Sequence, residues 1–237
     1  MKKTILAIAA LAAGVSASAQ IQTTKSSDLA VTLDVTYVSD YVFRGLKNAD
    51  DSIQPSVEAS YGDFYAGAWH SNDINSSSDF SETDFYAGYN LAINETFSAD
   101  LGVTRYTYSN AAADLDSTEV FAGVKANVVL SPSLYYYYDF DNEVSSYIGS
   151  IGHSFPIANV GLNVDVSAIY GFIQRPKGDQ GDYSYWGLGA AIPYKLSETA
   201  TLTAAVNYTH VDRSNFPAGG DQDQDKVVFS VGLAVGF

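Results

Sequence analysis

The chain has 237 residues, 27 of them acidic and 12 basic, for a formal net charge of −15, and it contains no cysteine. That balance excludes a nucleic-acid partner, which needs a basic stripe for phosphate. The lack of thiols excludes disulfides, lipid attachment at a processed amino terminus and cysteine metal sites.

In chain order, Lys2 and Lys3 precede an apolar run from Ile5 to Val15, and Ala17-Ser18-Ala19 supplies a small-x-small cleavage pattern. The spacing predicts a secretory signal peptide over 1–19, cut after Ala19. Its apolar core is shorter than the ~18 residues that span a bilayer as a helix. No later segment is long and apolar enough for a membrane helix, and none holds a helical period, so helix should make up under about 10% of the exported chain.

The rest of the chain alternates with a period of two. Leu29, Val31, Leu33, Val35, Tyr37, Tyr41 and Phe43 share one parity, broken only by Ser39, while Thr32, Asp34, Thr36 and Asp40 hold the other. This predicts a first strand running to Phe43 with an inward acidic face. A strand over Ile53 to Tyr61 turns at Gly62-Asp63 into Phe64 to His70. The pattern continues over Thr83 to Leu91, Thr96 to Tyr108, Thr118 to Val129 and Leu134 to Phe140. Ser145 to Phe155 and Val160 to Tyr170 flank a turn expected at Pro156; Tyr183 to Tyr194, Ala200 to Val211 and Val227 to Phe237 complete the series.

About twelve strands of roughly 9–11 residues match a tilted crossing of an outer membrane, and an even number closes a barrel. Short turns alternate with longer polar links at 44–52, 71–82, 109–117, 171–182 and 212–226, with 141–144 unexpectedly short. The reading is all-β: one transmembrane antiparallel up-and-down barrel over residues 20–237, with both termini at the short-turn, periplasmic end.

Ser39-Asp40-Tyr41-Val42-Phe43-Arg44-Gly45-Leu46, reached through Asp34-Val35-Thr36-Tyr37-Val38, resembles the amino-terminal signature of the TorF-type porin family, the Gcw_chp group of bacterial outer-membrane proteins. The similarity extends through Gln54-Pro55-Ser56, Gly62 to Asn72, Glu82 and Asp84 to Tyr89. The resemblance implies a bacterial outer-membrane barrel with pore activity and no assigned solute. Resemblance to outer-membrane proteins generally also implies that terminal Phe237 is presented to the barrel insertion machinery, with membrane lipid around the wall.

Parity opposite the apolar face marks Asp34, Asp40, Arg44, Glu58, Asp84, Asp100, Glu119, Lys125 and Asp165 as pore-lining candidates, because a basic residue against mid-membrane hydrocarbon costs about 2–4 kcal/mol. Arg44 shares parity with Asp34 and Asp40. It could define a constriction in an acidic channel, or form an internal ion pair that fixes register. The acidic excess favours cations over anions. Arg105 has outward parity and reads as reaching toward lipid headgroups. Tyr135 to Tyr138 must divide between the two faces.

Acidic loop residues, among them Asp221, Asp223 and Asp225, lack the glycine and distal glutamate of a calcium loop and read as turn chemistry. The three histidines join no nucleophile or zinc pattern, so no enzyme, cofactor or metal is expected. The function expected is passive diffusion of small hydrophilic solutes through a narrow pore, partly blocked by loops. The alternative is a non-conducting structural or adhesive barrel acting through its acidic outer loops.

Overall fold

The computed structural model describes residues 29–75, 81–109, 115–158, 160–176, 181–212 and 223–237; the expected signal peptide lies outside them. Among the described residues fourteen strands run in order: β1 (Ala30–Val38), β2 (Tyr41–Phe43), β3 (Leu46–Ala49), β4 (Ser52–Tyr61), β5 (Phe64–Asp73), β6 (Ser81–Ala92) and β7 (Phe97–Tyr108). They continue with β8 (Ser117–Ala126), β9 (Ser133–Asp139), β10 (Val144–Ile157), β11 (Leu162–Gln174), β12 (Tyr183–Lys195), β13 (Ala200–Asp212) and β14 (Asp223–Gly236).

Twelve of these, β1 and β4 to β14, form a closed antiparallel barrel in which sequence neighbours pair and β14 returns to β1. The seam is sealed by a reciprocal pair: Val31 N–H donates to the Phe237 carbonyl at 3.2 Å and Phe237 N–H to the Val31 carbonyl at 2.9 Å. Closure leaves no unpaired sheet edge, the condition for strands to sit in hydrocarbon. The connections at 62–63, 93–96, 127–132, 158–161 and 196–199 lie at the end with the two termini, and the remaining links lie at the other.

Alternation explains why these sequences form this wall. Leu33, Val57, Phe85, Leu101, Val124, Ile151, Leu188 and Val231 stand exposed on the outside, where lipid would cover them. Tyr61, Phe64, Tyr89, Phe97, Phe155 and Tyr194 ring the turn end, while Tyr136, Tyr147, Tyr170 and Trp186 ring the loop end. These are the two aromatic belts of a membrane barrel. Tyr135 and Tyr137 point inward and are buried, while Tyr136 is exposed outside, as period-two division requires.

Several strand ends differ from the sequence expectation. Pro156 lies within β10 opposite Asn163, because a residue at a non-bonded ladder position near a strand end loses nothing by lacking an N–H. The turn falls at 158–161 instead. Val128 and Val129 belong to the turn after β8, where Leu130 and Ser131 take positive φ values of 69° and 39°.

The largest difference is at the first strand. β1 stops at Val38, where Ser39 N–H donates to the Phe229 carbonyl at 2.9 Å and the Ser39 hydroxyl accepts from Phe229 N–H at 3.0 Å. Beyond it, β2 and β3 form a separate two-stranded sheet. Tyr41 and Phe43, expected on the lipid face, pack inside the barrel; Tyr41 is 2% exposed. The Ser39 break in the apolar row is the physical stop: its hydroxyl caps the seam and the chain folds inward.

Candidate functional site: a hairpin across the lumen

The β2–β3 hairpin crosses the barrel interior at the loop end. Near its base, Tyr41 meets Trp69 of β5 with ring centroids 5.4 Å apart, and Val42 and Ala49 share a buried cluster with Val38 and Val228. Farther along, Phe43 stands edge-on to Tyr106 of β7 at 5.9 Å, and Leu46 packs against the cluster of Ile173, Tyr183, Tyr185 and Val211. Lys47 is paired with Asp40 and Asp50, which lie at the hairpin's two stems. These hydrogen-bonded carboxylates, Asp40 foremost, raise the Lys47 pKa above its ordinary value and keep it charged.

At the tip, the Arg44 guanidinium forms a two-pronged bond to Glu119 of β8, with both N–H···O distances 2.7 Å. It also donates to the Ser146 hydroxyl of β10 at 2.8 Å and lies 4.7 Å from the ring centroid of Tyr137 on β9. Tyr106 donates to the same Glu119 at 2.9 Å, and the Tyr183 hydroxyl donates to the Arg44 carbonyl at 3.3 Å. In the order of the staves, β9 faces β1 across the barrel. The hairpin therefore leaves one wall and is clasped by the opposite one.

The tip needs two successive left-handed residues, Arg44 at φ 48° and Gly45 at φ 85°. Arginine tolerates this region poorly, so its clasp must offset the strain. Glycine is required next to it: a Cβ at position 45 would fall 2.7 Å from Val211 Cγ2 and 2.8 Å from Tyr185 Cβ. Gly45→Ala should therefore unseat the tip and destabilise the refolded chain by about 1–3 kcal/mol in urea unfolding. An unchanged midpoint would mean that the tip does not sit in this pocket.

Around the hairpin every stave contributes buried inward side chains. Thr36 and Val38 of β1, Ser52 of β4, Glu82 of β6, Glu119 of β8, Ser146 of β10 and Val211 of β13 are each at most 8% exposed, and the intervening staves behave alike. The loop-end half of the lumen is thus filled at this level. Toward the turn end several inward polar residues are half-exposed, including Asp34, Ser56, Glu58, Ser154, Asp165 and Ser167, while Asp100, Tyr135, Ala191, Thr203 and Ala234 are buried.

In this half one wall is thick and the other thin. On β4 to β9, tyrosines lie flat over glycines of neighbouring strands: a Cβ on Gly88 would fall 2.3 Å from Tyr65, and one on Gly123 would fall 2.3 Å from Tyr135. Their hydroxyls anchor on carboxylates. Tyr65 and Tyr135 donate to Asp100 at 2.9 and 2.7 Å, and Tyr86 donates to Glu58 at 3.2 Å. Lys125 pairs with Asp100 at 3.3 Å. On the far side β12 and β14 present Gly189, Ala191, Gly232 and Ala234, which carry little bulk.

Of the nine residues picked from the sequence, Asp34, Glu58, Asp84, Asp100, Glu119, Lys125 and Asp165 lie on inward faces of barrel strands. Arg44 and Asp40 lie within the hairpin region rather than on a continued first strand, which corrects their expected placement. Arg44 is joined to Glu119 rather than grouped with Asp34, because the turn at 44–45 carries it across the lumen. Arg105 faces outward as expected, and there it bonds Thr118 at 2.9 Å and pairs with Asp116 and Asp141 at 3.4 and 3.5 Å. Of the acidic loop residues Asp221, Asp223 and Asp225, the first lies outside the described residues.

Sequence reasoning assigned Gly45 to a turn, where it lies, but missed Tyr41, Trp69, Glu82, Ser146 and Tyr183 as parts of the site. The Ser39 interruption followed by Arg44-Gly45 and a Lys47 flanked by Asp40 and Asp50 was the available signal.

A family model described as "Bacterial protein of unknown function (Gcw_chp)" matches residues 22–234. No curated protein matches the chain in sequence. Among solved structures, the chain is similar to the KdgM porin, with 13% identity, a TM-score of 0.60, and coverage of 87% of this chain and 99% of that one. A KdgM porin in complex with oligogalacturonate aligns with 14% identity and a TM-score of 0.55, covering 88% and 99%. The COG4313 outer membrane channel from Pseudomonas putida F1 aligns with 9% identity and a TM-score of 0.53, covering 88% and 95%. At these identities the likeness is one of fold, and the fold is that of outer-membrane channels.

Proposed function

Because the chain belongs to the Gcw_chp family of bacterial proteins of unknown function and closes as a channel-type barrel, we propose that it is an outer-membrane porin whose conducting path is stopped by its own hairpin. When the hairpin withdraws, small hydrophilic solutes diffuse passively through the narrow lumen. The observation that carries this reading is the complete buried layer that the hairpin makes across the loop-end half, set against a turn-end half where Asp34, Ser56, Glu58, Ser154, Asp165 and Ser167 stay half-exposed. A barrel of about twelve staves is wide enough to hold an inserted segment and narrow enough for one hairpin to fill it.

Charge favours cations. Asp34, Glu58, Asp100, Asp139 and Asp165 point inward against Lys125 and Lys226, while Arg44 is spent on Glu119. An acid sugar such as the oligogalacturonate of the KdgM complex would meet like charge here. Phe237, whose backbone closes the seam, is the segment we assign to recognition by the insertion machinery, with membrane lipid covering the apolar wall.

Planar-bilayer recording of the refolded chain tests the reading, under a salt gradient to read selectivity. The reversal potential should show cation preference, and Asp34→Asn combined with Glu58→Gln should diminish it. Silence at every voltage and salt, in the wild type and in a hairpin-deleted chain alike, would refute it. The fully buried layer also favours a second reading, a non-conducting structural or adhesive barrel acting through its acidic outer loops. In that case, removing the loops would abolish a surface phenotype and leave permeability unchanged.

A further inference from the structure

Two carboxyl groups under the hairpin have no basic partner among the described residues. In the β6 register Glu82 lies between Ser71 of β5 and Tyr108 of β7, and Asp84 lies between Trp69 and Tyr106. They are two residues apart on the same inward face and are 1% and 8% exposed. Their carboxyl groups lie within hydrogen-bonding reach of each other, with the hydroxyls of Tyr41 and Tyr108 beside Glu82. Glu82 Oε2, Asp84 Oδ1 and the Tyr41 hydroxyl are all buried, and none completes a well-aligned hydrogen bond. The basic groups of the hairpin are committed elsewhere, Arg44 to Glu119 and Lys47 to Asp40 and Asp50.

Two ionised carboxylates withdrawn from water cost several kcal/mol each unless a positive charge meets them. No side chain among the described residues does so. We propose that Glu82 and Asp84, with the hydroxyls of Tyr41 and Tyr108, bind one divalent cation of the calcium and magnesium class between the hairpin and the β6 wall. The donors are all oxygen, which selects a hard cation over a transition metal. Two carboxylates balance its charge. No third acidic or histidine side chain joins them among the described residues, so affinity falls at the weak end of the calcium range. Tyr41 extends from β2, so the ion fastens the near arm of the hairpin as Arg44 fastens the tip. The plug is then held at two separate points.

Trp69 supplies the readout, because it lies directly opposite Asp84 and packs on Tyr41, while the other tryptophan, Trp186, is on the outer face. The full mature chain, refolded in detergent, is titrated with terbium. Sensitised emission should saturate at one ion per chain and be displaced by calcium. Glu82→Gln and Asp84→Asn should each weaken the midpoint by at least about tenfold, and Trp69→Phe should dim the emission without moving it. In the wild type, chelation should lower the thermal midpoint and calcium restore it.

Absent emission, or emission unchanged in both amide variants, would overturn the site and assign any bound ion to the acidic loops. A wild-type midpoint indifferent to chelator and calcium would overturn it in favour of a proton shared by the pair. None of these readouts requires current through the barrel, so failure of the site and failure of the porin reading are distinguishable.

Discussion

Replacing residues 40–50 with a short Gly-Ser linker should convert a mostly closed channel into one with steady current. The substitution spares the wall, because β2 and β3 pair only with each other, and it keeps Ser39 and Asp51, whose backbones bond to Phe229 and Ile74. A buried charge pair such as Arg44–Glu119 resists disruption by about 3–5 kcal/mol. A closed-state preference of even about 3 kcal/mol leaves the open form near 1% populated. Mean conductance should therefore rise by up to about 100-fold on deletion. Single-channel recording checks this directly. If the deleted chain folds, as judged by heat-modifiable gel migration, and conducts no better than wild type, the hairpin is not what closes the lumen.

The second large effect concerns the clasp itself. Glu119→Ala leaves the Arg44 guanidinium inside the barrel with only Ser146 and the faces of Phe43 and Tyr137. Stranding a buried charge costs about 3–5 kcal/mol, which urea unfolding of the refolded chain would show as a lowered midpoint. The same change should raise open probability. Replacing both partners, with Arg44→Met and Glu119→Leu, should recover most of the lost stability, since two packed apolar side chains can substitute for a buried ion pair. A loss below about 1 kcal/mol in Glu119→Ala would instead describe a solvent-screened pair and a loosely held hairpin.

The wall was legible because membrane insertion imposes a strict two-residue code. Leu33, Phe85 and Val124 could be assigned to the outer face of the wall and Asp34, Asp84 and Lys125 to the inner face from parity alone, and the structure puts them on those faces. The hairpin was not legible in the same way. Tyr41 and Phe43 obey the parity of the strand before them, so the code extends β1 by five residues too many. Their burial is tertiary: it comes from Trp69 and Tyr106, on strands distant in sequence.

Arg44 stands out in the sequence by its charge, and in the structure it is ion-paired. Its partner could not be named, because Glu119 is 75 positions away and the pairing depends on a turn that carries the tip across the lumen. In sequence Glu82 reads as the end of a loop, and only the start of β6 at Ser81 turns it inward.

The hairpin also bears on how the molecule can be assembled. It is attached directly to β1, the stave that must join β14 last, while its anchoring points lie on β8, β9, β10 and β12, which are synthesised afterwards. The tip can therefore reach Glu119 only once those staves are in place, and it enters from the loop end along the same route by which it withdraws. A chain whose tip missed that meeting would shut around an empty bore, a leak in the cell's outer envelope.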